Sequence, residues 1–205
     1  YDDVMNQQRQ IIYSQRRQVL EGENLKDYYL KIIPQVAEAI VIPFTAADDP
    51  SDWDYLGLSN KLADVFGSLP IIEQARSSSV DLEQDDFIAQ LVKEAAERYE
   101  AREEELGNAE FMREAERVVL LRVVDQHWMA HIDAMDDLRN SIGMRGYAQH
   151  DPVVEYKREG MEMFDEMTAS IQEGAVRLMM RASFTTNQPL KRASQSGGQK
   201  EVHDT

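Results

Sequence analysis

Two histidines are the most chemically suggestive residues of the sequence, because His127 and His131 stand four residues apart in a segment of helical periodicity. Side chains at this spacing share one face of a helix, which suits two metal ligands. A zinc-protease signature needs glutamate directly after the first histidine, and Trp128 stands there instead. No third ligand is evident at a credible spacing. We therefore predict structural or surface histidines and no metal site.

Adjacent carboxylates are the second candidate for chemistry, as acid–base pairs. Neighbouring residues on a helix diverge by about 100°, so such pairs cannot easily share a proton or a metal ion, and we expect solvated faces. The adjacent carboxylate pairs are Asp2–Asp3, Asp85–Asp86 and Asp136–Asp137.

The sequence contains neither a Walker-type phosphate loop nor a GxGxxG motif, so we predict no nucleotide binding and no catalytic residue within this chain.

The charge balance limits the class of partner. With 38 acidic and 22 basic residues the formal net charge is −16, which repels phosphate backbones and anionic lipids and suits a basic protein partner or simply solubility. There is no cysteine, which excludes disulfides and thiolate zinc sites. No apolar run approaches the roughly 20 residues that span a bilayer. Because the sequence begins without methionine and directly in a helical pattern, we expect it to be part of a longer protein.

Apolar residues at helical spacing predict an all-α fold in which a long first helix packs with a two-helix hairpin beside a small helical subdomain. Pro34 predicts a kink or a break in the second helix. Asp52 is a candidate N-cap for the third. The predicted elements are helix 1–21, helix 25–42, loop 43–54, helix 55–66, an irregular stretch to 79, and a helix from Asp81 or Asp85 to Leu106.

The most regular pattern predicts two long antiparallel helices, from about Met112 to Ser183. Each predicted arm has about 30 residues and is about 45 Å long. Asp151 and Pro152 form an N-cap and first-turn pair that starts the second arm. We predict that Met135, Met163 and Met167 belong to the core. The predicted seams are Phe111, Ala115, Val118, Leu121, Val124, Trp128, Ile132, Met135 and Leu138, then Gly160, Met163, Met167, Ile171, Gly174 and Leu178.

The connection between the arms, residues 141–151, is unusual for a turn because it carries apolar side chains. Gly143 and Gly146 are expected to let the backbone bend. Loop-borne aromatic side chains on a rigid scaffold are more often functional than structural. The alternative for Ile142 is that it folds back and caps the seam. The exposed tip is predicted to present Ile142, Met144, Arg145 and Tyr147.

These residues resemble a known family. The motifs are RGYAQ at 145–149 with DP at 151–152, LLRVVD at 120–125, Trp128, and HIDAMDDLR at 131–139. Together they closely resemble the two-helix finger of SecA, the motor of bacterial preprotein translocation. YDDVMN at 1–6 and QR at 8–9 are similar to the family's long scaffold helix. The resemblance covers about residues 1–182.

The resemblance implies a domain organisation. Residues 1–22 are expected to be the C-terminal part of the scaffold helix, 23–107 a helical wing, and 108–184 the finger with its tip at 141–151. Residues 185–205 are rich in Ser, Gly and Gln, which predicts a flexible tail from composition. The scaffold residues expected to contact the motor domains are Tyr1, Asp2, Asp3, Asn6 and Arg9.

The resemblance also implies a function. Nucleotide-binding domains outside this chain would bind ATP and Mg²⁺, and the chain itself would hold no cofactor. The finger would engage the SecYEG translocon at its cytoplasmic mouth, contact the translocating preprotein through Tyr147, and restrain the ATPase. The expected location is the bacterial cytoplasm, peripheral to the inner face of the cell membrane through the channel, with no nucleic acid partner.

Two departures from the family pattern are visible. The tip reads SIGM at 141–144 where the family usually reads GIHL, and the tail lacks the cysteines of the family's zinc module.

Two rival hypotheses stay open: a free-standing helical adaptor that docks partners without handling cargo, and a metal-dependent bundle enzyme.

Overall fold

The computed structural model describes residues 1–22, 24–78, 80–145 and 151–184. Within these ranges the chain is mostly helical and forms no strand, so the all-α prediction is confirmed. No helix in these ranges combines the length and apolar character needed to cross a membrane. A 3-10 turn covers Pro50–Asp52, and the helices are α1 (Asp2–Leu20), α2 (Leu25–Phe44), α3 (Tyr55–Phe66), α4 (Pro70–Arg76), α5 (Gln84–Glu105), α6 (Ala109–Arg145) and α7 (Pro152–Arg181).

Helices α6 and α7 form the predicted antiparallel hairpin. Val123 of α6 lies beside Gly174, and Met135 lies beside Gly160, so the residue order reverses between the two helices. The helices approach closely at both glycines, since a Cβ on Gly160 would come within 2.7 Å of Met135 Cε. With 37 and 30 residues, the arms are about 55 Å and about 45 Å long.

The predicted seam of α6 is correct only in part. Ala115, Val124 and Trp128 are buried, but Val118 is 41% exposed. A strict three–four alternation drifts around a straight helix, and the N-terminal half of α6 also contacts α2 and α5, which widens its buried stripe. The buried residues that the pattern missed are Met112, Glu116, Val119, Leu120, Val123, His131 and Ile142.

Helices α2 to α5 pack against the base of the hairpin and share one core with it. Of the kink or break predicted at Pro34, the break is wrong, because α2 is continuous from Leu25 to Phe44. Pro34 removes one backbone donor, but the buried side chains of Ile32, Ile33 and Val36 hold the helix in place on either side of it.

The stretch between α3 and α5 differs most from the prediction. Residues 70–76, predicted to be irregular, form α4, which starts at Pro70 and has its Ile71 amide bound by the Glu94 carboxylate at 2.9 Å. Helix α3 is capped by Asp54, which accepts from the Gly57 amide at 2.9 Å, and not by Asp52. Helix α5 begins at Gln84, between the two predicted starts.

Candidate functional site at the end of the hairpin

The far end of the hairpin is more helical than the sequence suggested. Helix α6 continues to Arg145, so residues 141–145 form its last turn and are not part of a loop. Asp151 caps α7 as predicted, since its carboxylate accepts from the Val153 amide at 2.9 Å. The predicted tip residues Gly146 and Tyr147 lie outside the described residues.

Ile142 belongs to the seam and not to the exposed tip. Its side chain is 3% exposed and packs in a cluster with Met135, Leu138 and Tyr156. This is the alternative in which Ile142 folds back and caps the hairpin. The prediction that Ile142 faces a translocating chain is therefore corrected, because the side chain already fills the space between α6 and α7.

Other apolar side chains remain exposed at this end. Met144 is 76% exposed, and Val154, in the first turn of α7, is 58% exposed. Arg145 forms an ion pair with Glu159 of α7 at 3.2 Å, which ties the last turn of α6 to the second arm. Gly143 is helical, and a Cβ there would meet no atom within 4 Å. The sequence analysis missed Val154, because this residue follows the N-cap of α7 and so lies outside the predicted tip, residues 141–151.

The first turn of α1 packs against the same end. The ring of Tyr1 meets the ring of Tyr156 edge-on, with centroids 4.6 Å apart, and the guanidinium of Arg139 lies over the Tyr1 ring at 5.4 Å. Arg139 also pairs with Asp2 at 3.4 Å. Two of the residues predicted to contact motor domains therefore contact the hairpin.

A groove of about 660 Å³ runs between α1 and α7. Asp3 and Asn6, two further predicted contact residues, line it, and Arg9 donates to Asn6 Oδ1 at 3.1 Å. Ile11 and Met161 are 46% and 66% exposed along this groove. The exposed surface of α1 along this groove thus contains both polar and apolar side chains.

A buried polar group joins α1 to both arms. Gln8 Nε2 donates to the carbonyl oxygen of Gly160 at 3.0 Å, so its amide oxygen faces His131 Nε2 at 2.7 Å. Nε2 must therefore carry the proton. Burial lowers the pKa of His131, which favours this neutral form. Gln8 and His131 are 6% and 5% exposed.

The two predicted candidate ligands therefore do not act together. His131 is structural, as one of the predicted alternatives had it, and its ring packs against Trp128 and Phe164. Within the described ranges no group of three or more His, Asp or Glu side chains is placed to hold a metal ion. The sequence gives one hint of the structural role of Gln8, because this polar residue lies among the apolar residues on one face of α1.

A second buried polar group fixes the base of the hairpin. Glu116 is fully buried in α6; it accepts a hydrogen bond from the Tyr99 hydroxyl of α5 and pairs with Arg113 at 2.9 Å. Burial raises the pKa of Glu116, while Tyr99 and Arg113 oppose that rise. Tyr29 of α2 stacks on Tyr99 and donates to the Glu116 carbonyl at 3.1 Å, so α2, α5 and α6 meet here.

Comparison with known proteins assigns the family. The family model described as SecA Wing and Scaffold domain matches residues 1–183. Protein translocase subunit SecA of Caldicellulosiruptor saccharolyticus is 45% identical over 184 residues, which are 89% of this chain and 21% of that protein. The protein of the same name from Pelotomaculum thermopropionicum is 46% identical over 189 residues, 92% of this chain and 21% of that protein.

A more distant relative agrees. Protein translocase subunit SecA 1 of Thermobifida fusca is 40% identical over 194 residues, which cover 92% of this chain and 20% of that protein. The chain thus spans about a fifth of the length of these relatives. Because the family model covers nearly all described residues, the chain belongs to the SecA family and corresponds to its wing and scaffold domain.

Proposed function

We propose that this chain is the non-catalytic scaffold, wing and finger region of an ATP-driven protein translocase. Its relatives are named protein translocase subunits, and the match extends over residues 1–183. ATP and Mg²⁺ bind in nucleotide-binding domains outside this chain. The partners are a SecYEG-type channel and its preproteins, and the chain works in the bacterial cytoplasm, held to the inner face of the membrane through the channel.

The observation that carries this proposal is a long, closely packed hairpin with exposed apolar side chains at its end. The seam is closed by Ile142, and beyond it Met144 and Val154 remain exposed. Flexible apolar side chains suit contact with many different polypeptides, because they adapt to each sequence without recognising it. We propose that Tyr147, Met144 and Arg145 make this contact, with Gly146 beside them.

Contact with the motor domains is proposed for the outer surface of α1. Asp3, Asn6 and Arg9 lie there, beside the groove with exposed Ile11 and Met161. Since α1 is joined to the hairpin at Tyr1 and at Gln8, a displacement of α1 moves the finger with it. This connection is the proposed route by which the finger restrains the ATPase.

The experiment replaces Tyr147 by Ala in the full-length protein and measures preprotein transport into vesicles that contain the channel, together with binding to that channel. Met129→Ala is the matched control, since this side chain is 62% exposed on α6 away from its last turn. We expect Tyr147→Ala to impair transport and to leave channel binding unchanged. Intact transport with lost binding would favour the adaptor hypothesis.

A further inference from the structure

One face of the helical subdomain has a one-sided charge distribution. The sequence has no Lys or Arg between Lys31 and Lys61 and none between Arg76 and Lys93. Carboxylates are frequent in both windows, and all those of the segment before α3, of the segment before α5 and of the first turn of α5 are exposed. We call this surface the acidic face; its members are Asp48, Asp49, Asp52, Asp54, Asp81, Glu83, Asp85 and Asp86.

The two segments of the acidic face are held side by side. Gln84 Nε2 donates to the carbonyl oxygen of Thr45 at 3.1 Å and to its hydroxyl at 2.7 Å. Thr45 is 3% exposed, and its hydroxyl donates in turn to the Val41 carbonyl at 2.9 Å. A pocket of about 550 Å³ lies where the segments meet, lined by residues 50–51, 53–56, 78 and 80.

Backbone amides bind two carboxylates of the acidic face, Asp49 and Asp54, but in the described part of the chain no basic side chain does. Elsewhere acidic side chains pair with basic ones, as Glu173 does with Lys61 at 2.6 Å and Asp64 with Arg177 at 2.9 Å. Across residues 1–22, 24–78, 80–145 and 151–184, no Lys or Arg forms an ion pair with any member of the acidic face. Eight like charges on two adjoining segments repel one another and attract cationic groups.

The pocket between these carboxylates has a mixed lining, in which apolar side chains stand beside Ser51, Asp54 and Ser78. Leu56 is 68% exposed at its edge, with Tyr55 and Val80 partly buried beside it. Trp53, which also lines the pocket, is held in place, because it is 7% exposed and its indole Nε1 donates to the Ala47 carbonyl at 3.0 Å. An exposed leucine beside a fixed aromatic side chain in one pocket suits contact with an aliphatic side chain of a partner.

We propose that the acidic face binds a basic amphipathic helix of a protein partner. Lys and Arg side chains of that helix meet the carboxylates, and an aliphatic side chain between them covers Leu56 and fills the pocket. Charge complementarity selects this occupant, because nucleic acids and anionic lipid surfaces are repelled by the same field. The inference is independent of the proposed function, since it uses no residue of the hairpin end.

The test uses the 205-residue chain and a synthetic Lys–Leu amphipathic helix of about 18 residues, long enough to be helical when bound. Affinity is measured by calorimetry at low salt, and the contact surface is mapped by changes in amide chemical shifts. A Lys–Ser peptide of equal charge and a Glu–Leu peptide are the ligand controls. We expect shifts centred on residues 45–56 and 80–86, weaker binding of the Lys–Ser peptide, and none of the Glu–Leu peptide.

Two matched sets of variants separate a site from bulk charge. Asp48→Asn, Asp52→Asn and Asp81→Asn together are expected to weaken binding by about tenfold, and Leu56→Ser alone by about threefold. The matched triple variant, Glu104→Gln, Asp133→Asn and Asp137→Asn, changes the net charge equally at exposed positions elsewhere. Equal loss in both triple variants, or shifts spread over the whole surface, would overturn the proposal.

Discussion

Gln8 Oε1 lies 2.7 Å from His131 Nε2, and through this bond two buried side chains connect α1 to the first arm of the hairpin. The same Gln8 amide donates to Gly160 of the second arm. One side chain therefore satisfies polar groups on two helices at once, in surroundings where an unpaired polar group is costly. This arrangement helps to fix the position of α1 relative to the hairpin of α6 and α7.

Replacing Gln8 by Ala should destabilise the fold. The buried His131 donor would lose its partner, and the Gly160 carbonyl would keep only its bond within α7, so we expect a loss of about 1–3 kcal/mol in the free energy of unfolding, measured by urea denaturation. Gln7→Ala is the control, because the neighbouring glutamine is exposed and should change stability by less than about 0.5 kcal/mol. Equal effects of the two variants would contradict the role of Gln8.

The free energy of unfolding should also decrease as the pH is lowered, because of His131. Burial lowers the pKa of His131 in the folded chain below the ordinary 6.5. As pH falls below 6.5, the unfolded chain therefore binds a proton at this residue while the folded chain stays unprotonated there. The loss continues until pH reaches the folded pKa. We expect His131→Gln, which can still donate to Gln8, to flatten the dependence of unfolding free energy on pH in this window. An unchanged slope would show that His131 is not the group responsible.

The buried carboxylate of Glu116 should respond differently to two substitutions. Glu116→Ala leaves the Tyr99 hydroxyl unpaired and removes one partner of Arg113, so we expect a loss of about 3 kcal/mol or more in stability. Glu116→Gln keeps an acceptor for Tyr99, and Arg113 retains Glu103 at 3.0 Å, so its cost should be smaller. Thermal unfolding of both variants checks this order; a costlier Gln variant would refute it.

The pH behaviour of the Gln variant follows from the raised pKa of Glu116. A carboxyl whose folded pKa lies above its unfolded value contributes stability below the unfolded pKa, near 4.5, and loses that contribution as pH rises through the folded pKa. Glu116→Gln removes this loss. Its deficit relative to the parent chain should therefore be larger at about pH 4.5 than at about pH 7.

Local sequence signals predicted the elements better than the contacts between them. The bounds of α3 follow from its apolar spacing, while α4 was missed because seven residues are too few to show a helical period. The bond between Gln8 and His131 joins residues 123 positions apart. Its existence depends on how α1 lies along the hairpin, which no local pattern encodes.

The end of α6 shows the same limit at a single residue. Gly143 was interpreted as a bend, yet it is helical, with space around it for a Cβ. Glycine only lowers helix propensity there, so Gly143→Ala should stabilise the chain by about 0.5 kcal/mol. Gly107→Ala, at φ +89°, should instead destabilise it by about 1 kcal/mol, because alanine tolerates that conformation poorly. Chemical denaturation measures both free energies of unfolding. A destabilised Gly143→Ala variant would instead support the original prediction that the backbone bends at Gly143.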